Sequence, residues 1–331
     1  MHLKENMIIC MGKLRAYLQL IRPYGIFIAL MPILGAISNG IFHGLALLLV
    51  VGISANIFGF VQNDYFDIEI DKKSGYVANR PLASGLISKK EAIIFLSILF
   101  IISLLITFFF FSLLSLLFLL LYFLFYTLYN KYSKKFAWME YSLGISASMI
   151  FLAGAFSYSK KISLLCLLLS FLPILKYAFN VGISANLKDI KYDLMQGVKT
   201  TPVMFGATVN DTIYIPHSFK IYAYAIKIVF VTISFIAILL TKPFISLFLF
   251  IAASMLIFYT IPKIFEYIER RQEMLFYAEI HEVLTYVMMA SILYDYVAIN
   301  TNAFLSFSLV ILPPLWILAS LRIIFAGKPL E

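Results

Sequence analysis

Six residues in two short segments carry the chemistry this sequence can do. The first segment reads Asn63-Asp64-Tyr65-Phe66-Asp67-Ile68-Glu69-Ile70-Asp71. Asn63, Asp67 and Asp71 stand at i, i+4 and i+8, so a helix gathers them into one stripe. The second reads Asn186-Leu187-Lys188-Asp189-Ile190-Lys191-Tyr192-Asp193, with Asn186, Asp189 and Asp193 at i, i+3 and i+7, again one helical face. Like charges a turn apart repel, and near hydrocarbon their desolvation is costly. A hard divalent cation relieves both effects. Mg²⁺ takes carboxylate oxygens while keeping water and substrate phosphate in its shell. One acidic helix end is ordinarily just solvated. Two with the same carboxylate spacing, Asp67-x3-Asp71 and Asp189-x3-Asp193, on the same membrane side make a receptor for a diphosphate, so these six residues are candidate metal ligands. Asp64 and Glu69 fall off the stripe and are expected in water.

Basic residues complete such a receptor. Arg80 follows the first segment in Asn79-Arg80-Pro81-Leu82, and Lys131 lies in Tyr129-Asn130-Lys131-Tyr132. Lys188 is embedded in the second segment, Lys199 follows in Gly197-Val198-Lys199-Thr200, and Arg22 opens the first apolar block. Lys and Arg neutralise phosphate oxygens as charge develops on a leaving group. Each alone is equally what basic loops beside a membrane contain.

The elements that must position these groups are membrane helices. Of 331 residues, 62% are apolar and 13% charged, with a mean hydropathy of +0.95. A soluble domain carries about 25% charged residues, so a soluble enzyme is excluded, as are disordered and disulfide-stapled classes. Apolar blocks fall at 20–39, 43–65, 91–110, 112–129, 138–157, 162–185, 220–240, 243–262, 276–299 and 303–325. Each approaches the ~20 residues a bilayer-crossing helix needs. The reading is an all-α, polytopic membrane bundle with ten candidate spans, or nine and one surface-lying helix. The ninth block holds Glu279, His281, Glu282 and Asp295, which a membrane helix tolerates when they face the bundle interior or sit near an end.

Lys and Arg crowd the connections on one side: Lys72, Lys73, Arg80, Lys89 and Lys90, then Lys131, Lys134 and Lys135, then Lys188, Lys191 and Lys199, then Lys263, Arg270 and Arg271. The positive-inside rule makes that side, and the N-terminus, cytoplasmic. The two long polar loops, about 66–90 and 186–219, lie there and hold both acidic segments; long ordered loops in a bundle are usually functional. The net charge of +9 follows from this bias and calls for no nucleic acid. No small-residue cleavage site follows the first block, which reads as a retained span. Cys10 and Cys166 match no metal or redox spacing, and His281-Glu282 lacks the second histidine of a zinc-protease motif because Thr285 stands there.

Asn63-x3-Asp67-x3-Asp71, Arg80-Pro81-Leu82, and Asp189-x3-Asp193 ahead of Gly197-Val198-Lys199-Thr200 together resemble the UbiA superfamily of intramembrane prenyltransferases. The resemblance covers most of the chain. It implies a single membrane-embedded domain over 1–331: nine helices around a central cavity, capped by the two loops in the cytoplasm at the cell membrane. It implies transfer of an isoprenyl chain from a prenyl diphosphate to an acceptor, with two Mg²⁺ ions. On that pattern Asn63 and Asp67 ligate one ion, Asp189 and Asp193 the other, and Arg22, Arg80, Lys131 and Lys199 hold diphosphate oxygens. Asp71 is the acceptor-side base or a further ligand. The 32 Phe and 21 Tyr suit an allyl cation, although most such rings simply pack or face lipid. Three acceptor classes are suggested by different stretches: naphthoquinone precursors by 186–189, 4-hydroxybenzoate by 78–82, and geranylgeranylglyceryl phosphate by 63–71. An aromatic quinone precursor is the reading placed first, the archaeal-type lipid second.

A transporter using paired carboxylates is the competitor from another class. It predicts acids near span midpoints and symmetry between halves. Val51-Gly52-Ile53-Ser54-Ala55-Asn56 does echo Val181-Gly182-Ile183-Ser184-Ala185-Asn186, but aligning the echoes displaces the carboxylates, so it reads as small-residue helix packing.

Overall fold

Pro23 decides where the first apolar block turns helical. The residue before a proline is pushed out of the α region, and in the computed structural model, which describes residues 2–73 and 77–324, Arg22 sits at φ 45°. Helix α1 (His2–Ile21) therefore stops there, and α2 (Phe27–Ser38) begins only at Phe27. Twelve residues at ~1.5 Å each give about 18 Å, short of the ~30 Å of a hydrocarbon core. The block expected to span over 20–39 is instead a short helix, buried along its whole length.

The chain continues through α3 (Leu45–Asp71), α4 (Lys89–Phe110), α5 (Leu113–Tyr132), α6 (Met139–Ala155) and α7 (Leu164–Phe179). A π-helical turn, Asn180–Ala185, joins α7 to α8 (Asn186–Lys188), followed by α9 (Ile190–Met195) and α10 (Thr201–Met204). A two-residue hairpin, β1 (Thr208–Val209) with β2 (Ile213–Tyr214), precedes α11 (His217–Ile238), α12 (Ile245–Glu266), α13 (Arg271–Ile292), α14 (Tyr294–Asn300) and α15 (Ala303–Ile324). Among the described residues eight helical stretches are long and apolar enough to cross a bilayer, and α2 and α6 are shorter apolar helices. The all-α membrane bundle is the architecture observed. The block at 303–325 supplies the last of the eight stretches, over Ala303–Ser320.

Short side chains set how closely the helices approach. α2 packs against α3, α6 and α7, and a Cβ on Gly35 would land on the Phe151 carbonyl, one on Gly154 on the Pro32 carbonyl. Small residues at such crossings let backbones touch where lipid offers no hydrophobic drive. Helix starts are capped by Ser88, whose Oγ accepts from the Glu91 amide in a capping box, and by Ser112 and Ser163. The outer face of α4 presents Ile94, Ile101, Leu105 and Phe109, as a helix bathed in acyl chains must. Asp295, one of the acids of the ninth block, is structural: its Oδ2 accepts from the amides of Phe244 (2.6 Å) and Ser246 (2.9 Å) at the start of α12.

The end of α3 and the segment from the π turn to α10 meet at one end of the bundle, where Tyr192 Oη donates to the Ile70 carbonyl at 3.4 Å. Three residues of the first long loop, 74–76, lie outside the described residues.

Candidate functional site

The end of α3 buries an acid that its helical register seemed to expose. Asp64 is 2% exposed. It pairs with Arg22, brought in by the kink before Pro23, and with Arg80 at 3.4 Å. Arg80 also holds Asp71 at 2.9 Å, so one guanidinium ties two turns of α3 together. Asp64 was expected in water because it lies off the Asn63–Asp67–Asp71 stripe. The correction is that two arginines from outside α3 close over its other face. Glu69 does face water, beside Lys72 (3.2 Å) and Lys89 (3.4 Å). Asn63 is within 3.4 Å of Asn130 Oδ1, and Asn130 in turn donates to the Gly59 carbonyl and Gln62 Oε1, both at 3.0 Å. Asp67 is buried.

The second acidic segment is not one continuous helical face. α8 ends at Lys188, Asp189 breaks the helix at φ −106°, ψ 8°, and α9 starts at Ile190. Asp189 is left part-exposed, between Lys188 (3.5 Å) and Arg271 (3.6 Å). Asp193 turns inward to 1% exposure and meets Lys134 at 3.5 Å through Oδ1. Its Oδ2 is buried without a hydrogen-bond partner among the described residues. Burial pushes the Asp193 carboxyl above its usual range, with Lys134 opposing. Burial likewise works against the Lys134 charge, but Asp193 and Asp67 outweigh it and hold the ammonium above its ordinary value.

Beside these groups a cavity of about 540 Å³ opens into the bundle. Arg22, Arg80, Lys188, Asn63 and Asp64 lie in its wall near the acidic segments, and Tyr126, Tyr129 and Tyr177 line it as well. Among the described residues Asp67, Asp71, Asp189 and Asp193 are not in that wall. Asn186 lines a separate recess of about 40 Å³ with Lys134 and Thr200. Lys131 is exposed, its ammonium 5.4 Å from the Tyr132 ring centroid, and Lys199 is exposed as well. Thus Arg22, Arg80, Lys188 and Asn63 meet at one cavity, while Lys131 and Lys199 do not join them. Among the described residues no three Asp, Glu, His or Cys side chains converge as a preformed metal cage.

Sequence reasoning overlooked Lys134, which takes the place beside Asp193, one helical turn beyond Lys131. It also passed over Lys176 and Lys227, both fully buried in membrane helices. A lysine inside an apolar span was the available signal.

A sequence model described as the UbiA prenyltransferase family matches residues 26–281. The digeranylgeranylglyceryl phosphate synthase of Methanocaldococcus jannaschii is 33% identical over 201 residues, 59% of this chain and 69% of that protein. The 4-hydroxybenzoate octaprenyltransferase of Aliivibrio fischeri (strain MJ11) is 36% identical over 104 residues, 29% of this chain and 36% of that protein. The chain spans about a third of the length of the octaprenyltransferases it matches. Among solved structures, one from work on digeranylgeranylglyceryl phosphate synthase in membranes has a TM-score of 0.63 at 23% identity, covering 88% of this chain and 98% of that one. A UbiA homolog from Archaeoglobus fulgidus bound to GPP and Mg²⁺ has a TM-score of 0.58 at 16% identity, covering 94% and 99%. These likenesses show a shared fold.

Proposed function

The chain belongs to the UbiA prenyltransferase family and is an integral membrane protein; from that premise we propose that it transfers an isoprenyl chain from a prenyl diphosphate to a hydroxyl-bearing acceptor, with Mg²⁺. The observation that carries this reading is the meeting of Arg22, Arg80 and Lys188 in the wall of one membrane cavity, at the end where both acidic segments lie. A diphosphate needs several cationic donors, and an isoprenyl chain needs an apolar enclosure of this kind.

The residues present fit a divalent cation. The buried Oδ2 of Asp193, without a hydrogen-bond partner among the described residues, is an oxygen ligand in waiting, and Asn63, Asp67, Asp71, Asn186 and Asp189 supply the hard oxygens Mg²⁺ prefers. Bound there, Mg²⁺ supplies positive charge to the diphosphate. Arg22, Arg80 and Lys188 take up the charge that develops as the C–O bond breaks. Asp64 fixes the two guanidiniums in place. Tyr126, Tyr129 and Tyr177 offer ring faces to the allylic carbon and keep water from it. The N-terminus and the two loops at 66–90 and 186–219 face the cytoplasm of the cell membrane in this reading, following the Lys and Arg bias.

The longer match to the digeranylgeranylglyceryl phosphate synthase, 69% of that protein's length, favours a prenylated glyceryl phosphate as acceptor over the aromatic acid. The deciding experiment measures diphosphate release from geranyl and geranylgeranyl diphosphate by the purified protein, with and without Mg²⁺. Geranylgeranylglyceryl phosphate, 4-hydroxybenzoate and a dihydroxynaphthoate serve as acceptors, and Asp67→Ala and Asp193→Ala as controls. Mg²⁺-dependent release that both substitutions abolish supports the proposal, and the acceptor prenylated identifies the class. Absence of donor binding with Mg²⁺ present would return the paired-carboxylate transporter to consideration.

A further inference from the structure

The cavity has a second polar wall, inside the bundle and contributed by α7, α13 and the π turn. Lys176 Nζ on α7 lies 2.7 Å from Glu282 Oε1 on α13. The two partners have unequal surroundings. Lys176 is fully buried, its ammonium 4.9 Å from the Phe27 ring centroid and 4.4 Å from that of Tyr177. Glu282 is 38% exposed and lies in the cavity wall. An ion pair that only joins two helices has no need to leave its acid open. Here a buried lysine clamps one carboxylate oxygen, and the residue faces the space where substrate would lie. Intramembrane carboxylates are costly and mark function by default.

A second observation at the same wall points to a ligand. Asn180, the first residue of the π turn, is 8% exposed and lines the cavity, and both its Nδ2 and Oδ1 are buried without a hydrogen-bond partner among the described residues. Native proteins leave few buried amides unpaired, and those they leave ask for a partner that the structure lacks. π turns interrupt helices most often where a site needs a side chain re-aimed. The acid assigned to acceptor chemistry from the sequence, Asp71, is by contrast held by Arg80 at 2.9 Å and lies outside the cavity wall.

We propose that Glu282 is the base for the acceptor, with Asn180 holding the acceptor beside it and Lys176 as the positioning residue that orients the carboxylate. This rests on the prenyl-transfer reading above. The acceptor must then carry a hydroxyl, which donates its hydrogen bond to Glu282. In the reaction the donor's C–O bond breaks and its electron pair leaves with the diphosphate. The donor carbon bonds to the acceptor oxygen or, in a phenol, to the ring carbon beside it, whose C–H proton is then lost to restore the aromatic ring as the oxygen takes a proton back. The acceptor's proton passes to the Glu282 carboxylate and from there to water. One carboxylate thus serves either acceptor class, because both present an O–H to it.

The test uses the full chain with Mg²⁺ and geranylgeranyl diphosphate, and geranylgeranylglyceryl phosphate or 4-hydroxybenzoate as acceptor. Glu282→Gln should lower kcat for the prenylated product about 100-fold, the usual range for a lost general base, and leave the donor KM in place. Because that change strands a buried lysine, Lys176→Met/Glu282→Gln removes both charges together, so that no uncompensated charge is left buried. The double variant should show the same loss while melting with the wild type. Asn180→Ala truncates a side chain with no hydrogen-bond partner among the described residues and should raise the acceptor KM about tenfold, the worth of one buried hydrogen bond, without moving the donor KM. Wild-type turnover by the double variant, or an unchanged acceptor KM in Asn180→Ala, overturns the inference. A wild-type protein that releases no diphosphate with either acceptor instead overturns the prenyl-transfer reading beneath it.

Discussion

Lys134 Nζ stands 3.5 Å from Asp193 Oδ1, and the other oxygen of that carboxylate is buried without a hydrogen-bond partner among the described residues. A flexible lysine thus half-neutralises an acid that the fold has drawn out of water. In the proposed reaction the remaining oxygen would offer a divalent cation a ligand whose desolvation has already been met in folding.

With Asp193 as the proposed metal ligand, its raised carboxyl should make metal binding sensitive to acid. Burial lifts its pKa above the usual carboxylate range, so the ligand protonates at a higher pH than an exposed aspartate. Mg²⁺ affinity, followed by titration in steps from about pH 7 to about pH 5, should fall earlier than ordinary carboxylates allow. The sign for stability is the reverse. A folded-state pKa above the unfolded one binds protons on folding, so the metal-free protein gains stability as pH falls through the raised folded value towards the unfolded one, and loses it as pH rises back through the folded value. Asp193→Asn should flatten both dependences, and an unchanged profile in that variant would count against the assignment.

Removing Lys134 leaves Asp193 without its cation. Lys134→Met should lower stability by about 1.5–3 kcal/mol, the scale of a hydrogen bond to a charged group. Millimolar Mg²⁺ should recover part of the loss, because the ion supplies the missing charge. Thermal unfolding in detergent with and without Mg²⁺ reads both effects. A variant that melts with the wild type shows the pair to be dispensable.

Asp64 and Glu69 form a matched contrast. Asp64 holds Arg22 and Arg80, whereas Glu69 meets two exposed lysines, Lys72 and Lys89. Asp64→Asn should lower kcat/KM for the donor by about 100-fold, the order of loss when positioning groups drift by an ångström. Glu69→Gln should leave it close to wild type, since an exposed pair is worth about 0–1 kcal/mol. Steady-state rates of the two variants side by side decide it, and equal effects would contradict the burial difference.

The α2–α6 crossing should be intolerant of side chains. A Cβ at Gly154 would lie on the Pro32 carbonyl, which is backbone and cannot step aside cheaply. Gly154→Ala should cost about 1–3 kcal/mol, as overpacking does, and Gly154→Leu should prevent assembly. Gly85→Ala gives the comparison, because nothing lies near a Cβ there and only its φ of 79° is strained. Melting temperatures and monodispersity in detergent separate the two.

Much of the architecture was legible in the chain itself. Apolar blocks at 43–65, 91–110 and 112–129 appear as α3, α4 and α5 because a bilayer-length apolar run leaves the backbone no other way to pair its amides. The block at 20–39 was misread in length. Its composition suits a span, and only the φ of Arg22 ahead of Pro23 shortens it to a buried helix. The π turn at Asn180–Ala185 was also invisible, since no residue there enforces a π turn.

What the sequence alone determined is which residues of one helix share a side: Asn63, Asp67 and Asp71 are a stripe because 3.6 residues make a turn. What tertiary structure decided is what each side meets. Asp64 was off the stripe and is buried under Arg22 and Arg80; Lys134, which no local pattern singled out, stands beside Asp193; Lys176 and Glu282, 106 positions apart, meet across two helices. Spacing within a helix is local geometry, written in the chain. The partner of a side chain depends on how whole helices pack, and that is settled by the close fit of small residues such as Gly35 and Gly154, whose long-range consequences no local pattern records.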